Sequence, residues 1–221
     1  MYRFVWDLQY PNSKKFSDDW FYNGELGGPR ALPANYKVRM YDGDKILAEK
    51  SFTVLLNPNV KSTGTDLQAQ FDLMNEIGKK QDEVSTALKQ AANVRSQISS
   101  FMGGIKDTVK LKPLKDIGQP IIDSLQAIEE TIYQPKIKAG EDGLRFPVML
   151  FEKLGSLKQG VGYGDSRPTK QMYDLFTDLS NRLAIPLQKI KTIMDVEVPK
   201  FNTKATQFQT QAVDVKKGLD D

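Results

Sequence analysis

Between Thr65 and Met102 the apolar residues fall at Leu67, Phe71, Met74, Ile77, Val84, Leu88, Ala91, Val94, Ile98 and Phe101. Steps of three, four and seven place one apolar stripe along a helix of 3.6 residues per turn. The opposite side carries Lys79, Lys80, Asp82, Glu83, Lys89 and Arg95, which suits water. Thr65 followed by Gln68 has the form of a capping box, and Gly103-Gly104 supplies a stop. A stripe this long cannot stay wet, so the helix needs partner helices.

The later chain supplies them. Residues 105–119, with Pro113 and Gly118, have the weakest helical pattern, whereas Pro120 fits the first position of a helix. Ile121, Ile122, Leu125, Ile128, Ile132 and Tyr133 then form a second stripe ending near Gln134. A third helix is expected from Pro147 to about Gly160, burying Val148, Leu150, Phe151, Leu154 and Leu157. A fourth runs from about Pro168 to Val196 on Met172, Leu175, Phe176, Leu179, Leu183, Leu187, Ile190 and Met194. Pro186 lies inside that stripe and should kink the helix by removing one backbone bond. Pro199 opens a short final segment, and residues 203–221 are expected to fray.

The N-terminal part follows a different period. From Tyr2 to Gln9, Tyr2, Phe4, Trp6 and Leu8 alternate with Arg3, Val5, Asp7 and Gln9, the pattern of a half-buried strand ended by Pro11. Residues 12–35 are loop-like, although Trp20, Phe21 and Tyr22 need somewhere to pack. Tyr36–Tyr41 and Ile46–Leu56 alternate on either side of Asp42-Gly43-Asp44, a strong hairpin signal. Three strands are too few for a closed sandwich, and a lone hairpin is marginal in water. Either the sheet packs on the helices, or its missing strands lie upstream; an edge left open should pair with another copy or be covered by residues 12–35. The expected fold is therefore α+β and mostly α. It comprises a small, incomplete Ig-like β module over residues 1–60, an antiparallel four-helix-type bundle over 61–202 and a frayed tail over 203–221.

Composition excludes several functions. The formal charge of +3 comes from 31 basic and 28 acidic residues, and the lysines are scattered, so there is no electrostatic footprint for nucleic acid. There is no cysteine, hence no disulfide and no thiolate chemistry, which leaves the redox compartment open. There is no histidine either, which removes the usual general base, zinc ligand and Ser-His or Cys-His arrangements. No apolar run approaches the roughly 20 residues of a membrane span. Residues 2–8 alternate rather than forming the basic head and apolar core of a signal peptide. A chain opening on a strand, one residue after its Met, points to a piece of something longer.

Four blocks occur in register: Arg3-Phe4-Val5-Trp6-Asp7-Leu8-Gln9-Tyr10-Pro11, Gly28-Pro29-Arg30-Ala31-Leu32-Pro33 leading into Tyr36-Lys37-Val38-Arg39, Thr65–Leu73, and Gly164-Asp165-Ser166-Arg167-Pro168-Thr169. Together, over roughly residues 2–202, they resemble the C-terminal region of large bacterial proteins with an N-terminal sortilin-like propeller of BNR (Asp-box) repeats, often labelled glycosyl hydrolases. That family usually has Pro-Gly before the Tyr strand; here Asn35 stands there, and Asn tolerates the left-handed turn Gly would supply. The resemblance implies a secreted or periplasmic parent whose propeller chemistry lies outside this chain. It implies the upstream propeller of the same polypeptide as the first partner, with a further protein partner open. It carries over no catalytic, cofactor-binding or metal residue, and the chain itself is expected to be a non-enzymatic accessory module.

Several stretches are site-like, and each has a plainer reading. Gly160–Thr169 is glycine-rich before a helix, but no strand precedes it and no Lys-Ser/Thr follows its glycines. Asp165, Ser166 or Thr169 is therefore expected to cap the next helix rather than to cradle phosphate. Asp42-Gly43-Asp44 and Glu141-Asp142-Gly143 set acids beside glycine, yet lack the ligand positions of a calcium loop and read as turns. Glu129 and Glu130 are adjacent, so on a helix they point about 100° apart and cannot flank one glycosidic bond. Trp6, Trp20, Phe21 and Tyr22 suit sealing a small β layer better than lining a carbohydrate face.

Overall fold

A computed structural model describes residues 3–16 and 26–207. The chain is α+β and mostly helical, with one antiparallel two-stranded hairpin preceding the helices. The strands are β1 (Ala34–Asp42) and β2 (Lys45–Val54). The helices are α1 (Gly64–Gly103), α2 (Thr108–Ile132), α3 (Leu150–Gly162), α4 (Lys170–Thr192) and α5 (Val198–Thr206), with a 3-10 turn at Gly140–Leu144. Trp20, Phe21, Tyr22 and Tyr2 lie outside the described residues.

The 40 residues of α1 span about 60 Å at 1.5 Å per residue, and α2, α3 and α4 all pack on it. Its cap differs from the expected Thr65–Gln68 pair. Thr63 is the N-cap: its hydroxyl accepts from Asp66 N at 3.2 Å, and Asp66 Oδ2 accepts from Thr63 N at 3.0 Å. Gln68 is spent elsewhere, donating to Asp72 at 2.8 Å. Leu73, Ile77, Val84, Leu88, Ala91, Val94 and Ile98 form the buried spine. Leu73, outside the expected stripe, is fully in the core, whereas Phe71, Met74 and Phe101 are only partly buried.

The second helix starts twelve residues before Pro120, not at it. Asp107 caps it, accepting from Val109 N at 2.9 Å and Lys110 N at 3.4 Å. Pro113 and Pro120 are both inside the helix. An interior proline costs about 3 kcal/mol, and burial of Leu114, Ile121 and Leu125 against the core offsets it. α3 begins three residues after Pro147 and continues through Gly160 to Gly162, so the expected glycine-rich loop is helical at its start.

Leu179, Leu183 and Ile190 on α4 are buried, but Leu175 is 45% exposed, outside the apolar side assigned to it. Pro186 lies within α4. The helical path then widens into a π turn at Ile193–Glu197, where Val198 N donates to Ile193 O five residues back. Pro199, which has no N–H to give Asp195, follows at once, so the wider turn accommodates the missing bond. α5 continues past residue 202 and buries Ala205.

The strand expected at Tyr2–Gln9 does not form over its described part. Leu8 has φ 62°, which breaks an extended ladder, and only one bridge, Gln9 to Arg30, remains. The hairpin does form. Gly43 alone carries positive φ (54°) in the two-residue turn Gly43-Asp44, the pattern of a II′ turn whose twist matches the strands. Its register pairs Ala34 with Val54 and Met40 with Ala48, then shifts at a bulge so that Tyr41 faces Ile46. No Cα of either strand comes within 8 Å of a helical Cα, and every strand residue but Tyr36 and Val54 is exposed, so the sheet does not pack on the helices.

Candidate functional site

The hairpin has two unlike faces. Tyr36, Val38 and Met40 share one face with Ala48, Lys50, Phe52 and Val54 by the pairing register; Lys37 and Arg39 share the other with Glu49 and Ser51. The polar face is tied together at Glu49, which accepts from Lys37 Nζ at 2.8 Å and Arg39 Nε at 2.6 Å. Those two cations hold the Glu49 carboxyl below its ordinary value. The apolar face is sealed only at its base. There Trp6 sits edge-on to Tyr36 at 5.3 Å and to Phe52 at 6.0 Å, and its indole N–H donates to Gln9 O at 2.8 Å. The Tyr36 hydroxyl donates to Leu32 O at 2.9 Å, and burial raises its pKa. Towards the turn, Val38 and Met40 of this face are exposed, Met40 at 57%; the bulge residue Leu47, and Tyr41 with its partner Ile46 on the other face, are exposed too.

Beneath the hairpin lies a cleft of about 450 Å³ between the strand ends, the loop at 27–33, the start of α1 and the end of α3. Four stretches far apart in the sequence contribute to its wall: Leu8, Pro29 and Arg30, Leu67 and Phe71, and Asp165. The wall is held by backbone pairing. Tyr10 N donates to Pro29 O at 2.9 Å, and Ala31 N to Leu8 O at 2.7 Å. Gly28 is required here, because a Cβ would stand 2.0 Å from Tyr10 O and 2.5 Å from Pro11 O. Gln70 crosses from α1 to donate to Val161 O at 2.7 Å and Gly164 O at 2.8 Å. Ser62 Oγ donates to Asp165 O at 2.5 Å, and Asp165 faces Arg30 at 3.6 Å.

One set of residues at the loop–helix junction was not legible as a group. Lys158 is 1% exposed and donates to Ser13 Oγ (2.7 Å), Gln81 Oε1 (3.0 Å) and Leu26 O (3.2 Å). Ser85 Oγ donates to Lys14 O at 2.7 Å, and Lys14 N donates to Asp82 at 2.6 Å. These bonds lay the described ends of the 12–35 loop on α1 and α3 rather than along the hairpin edge. The available signal was the seven-residue gap between Ile77 and Val84, where Gln81 fills a stripe position with a polar side chain.

The sequence-derived candidates are scattered. At the start of α4, Thr169 occupies the N-cap position and no side chain caps it, so the capping expected of Asp165, Ser166 or Thr169 is not made; Asp165 lies on the cleft instead. Asp142 closes its 3-10 turn, accepting from Lys138 N and Ala139 N at 2.9 Å, and these amides lower its pKa. Glu129 pairs with Arg95 at 2.7 Å between α1 and α2, while Glu130 accepts from Gln126 at 3.2 Å on the exposed side. Burial pushes the Glu129 carboxyl up to about 7 against the pull of Arg95. Glu152, buried in α3, is a clamp: Oε1 accepts from Gln134 N at 2.9 Å and Oε2 from Met149 N at 3.0 Å. Among the described residues no three acidic side chains gather as a metal would require, and no helix is long and apolar enough to cross a membrane. In comparisons with known proteins, the chain matches no family model, no curated protein and no solved structure at a significant level.

Proposed function

We propose that this chain is a non-enzymatic interaction module in which a helical scaffold carries a β-hairpin whose apolar face is offered to a protein partner. The observation that carries this reading is the hairpin itself: it stands clear of every helix with Val38, Met40 and Leu47 open to solvent. An isolated two-stranded hairpin is marginal in water, and an apolar sheet face is kept where something covers it. Following the resemblance, we place the module C-terminal to the sortilin-like propeller of a secreted or periplasmic parent. We read its helices as an antiparallel four-helix-type bundle and its hairpin as part of an Ig-like layer. An enzyme without histidine or cysteine would work through carboxylates, Lys or Tyr, and the buried carboxylates here serve structural bonds.

A second reading has one observation in its favour. A groove of about 450 Å³ lies beside Pro186, where Ile128, Leu150 and the 62% exposed Ile185 offer a bed for a peptide or helix. The deciding experiment uses the chain as bait in lysate of its source organism, with aryl glycosides and esters assayed in parallel. The expected result is capture of one protein, lost in the double variant Val38→Asp/Met40→Asp while helical circular dichroism is unchanged, and no turnover. Turnover that disappears in Asp165→Asn, or capture that survives the double variant, overturns the reading.

A further inference from the structure

We infer that the outer edge of β1 accepts one extended strand from a partner polypeptide whose residues alternate apolar and acidic. The inference rests on the interaction-module reading and names the class of partner. Among the described residues β1 pairs only with β2, so the backbone groups on its outer side have no ladder partner. An open edge of this kind recognises an extended backbone, and the side chains flanking it set which sequence fits.

The two edges of the hairpin are not equivalent. On β1 the apolar face runs Tyr36, Val38, Met40 without a charge; on β2 the same face is broken by Lys50. A lysine directed onto the apolar side is a common guard against strand addition. The open edge is therefore that of β1. Its other face carries Lys37 and Arg39, which share the single carboxylate of Glu49, leaving one positive charge in excess. Acidic residues directly opposite Lys37 and Arg39 on an incoming strand would balance it, while apolar residues between them extend the Tyr36–Val38–Met40 face.

The same charges argue against a second copy of this chain as the occupant. In the antiparallel registers that keep the apolar faces together and overlap the strands well, Lys37 or Arg39 of one copy lies opposite Lys37 or Arg39 of the other. Like charges directly opposed are destabilising. The edge thus disfavours itself and favours an acidic partner.

The test is an NMR titration of the full chain with nine-residue peptides, the length of β1, carried to millimolar concentration. One peptide alternates valine and glutamate, one valine and lysine, and one is the glutamate peptide with a central proline. The glutamate peptide is expected to bind and to slow amide exchange in β1, with the lysine and proline peptides inactive. Lys37→Ala/Arg39→Ala should weaken binding roughly tenfold, since it removes two cross-strand pairs and exposes Glu49 to the peptide acids, while Lys50→Ala leaves binding unchanged. Equal binding of the lysine peptide, protection confined to β2, or dimerisation of the free chain through β1 overturns the inference. If no peptide binds while Val38→Asp/Met40→Asp still abolishes capture of the lysate partner, the edge inference falls and the module reading stands.

Discussion

Glu129 is the residue whose environment most clearly conflicts with its charge. It accepts from Arg95 at 2.7 Å through one oxygen, while its other oxygen and Arg95 Nε are buried without a hydrogen-bond partner. Burial is the largest influence on the carboxyl and, with Glu130 adding to it, outweighs Arg95, so the folded chain keeps the proton up to about pH 7. An unfolded Glu releases its proton near 4.5. The contribution is therefore fully present below pH 4.5 and is lost as pH rises towards 7. Glu152, also raised by burial, adds in the same direction. Urea unfolding at pH 5 and pH 8 should show the wild type losing stability with rising pH. Glu129→Gln should lose about 1 kcal/mol less, after allowance for solvent screening. An identical pH dependence in the variant would show that the proton is not retained. Sequence alone gave no sign of this, because a carboxylate beside another on a helix looks solvated unless the neighbouring helix is known to bring Arg95. Lys158 was hidden for the same reason: its partners Ser13 and Gln81 are 145 and 77 residues away in sequence.

Among the elements, α2 departs most from its own propensities, and its tightest point is Gly118. A Cβ there would lie 2.8 Å from the Phe201 ring, and 3.0 Å from both Ile98 and Met102 Sδ. Gly118→Ala should gain up to about 1 kcal/mol in helix propensity but lose roughly 1–3 kcal/mol by forcing α1 and α5 away from α2. A lower urea midpoint is expected, and an unchanged or higher one would mean that α5 does not close on α2. On α4, Leu179 is 1% exposed, and Leu179→Asp should cost roughly 3–5 kcal/mol by burying an unpaired charge. An unaltered melting temperature would remove that stripe from the core. The stripes of α1, α3 and α4 were legible because their burial follows the helical period. The start of α2 was not, because Pro113, Gly118 and Pro120 look like breaks until Asp107 is seen as a cap and Leu114 as a core residue.

At the scale of the whole molecule the helices form one connected core and the hairpin stands outside it. The alternation of β1 and β2 and the Asp-Gly turn made the hairpin legible, since hairpin register is a local property. Where it would sit was not legible, because an exposed apolar face and a buried one have the same alternation. The third strand failed at Leu8, whose left-handed backbone has no mark in the residue type. If the hairpin contributes nothing to the helical core, removing it should leave that core intact. Ala34 and Val54 are direct partners in the ladder, so their Cα atoms lie about 5 Å apart and a short glycine bridge can replace residues 35–53. The trimmed chain should unfold in urea within about 0.5 kcal/mol of the parent, as for changes that touch no buried feature. In the intact chain, amides of 34–54 should exchange much faster than those around Leu88, Leu154 and Leu183, because local opening needs no helix to move. Trimming that unfolds the helices, or hairpin amides as protected as the helical core, would mean that the strands are coupled to the bundle and that the hairpin is part of the scaffold rather than its presented surface.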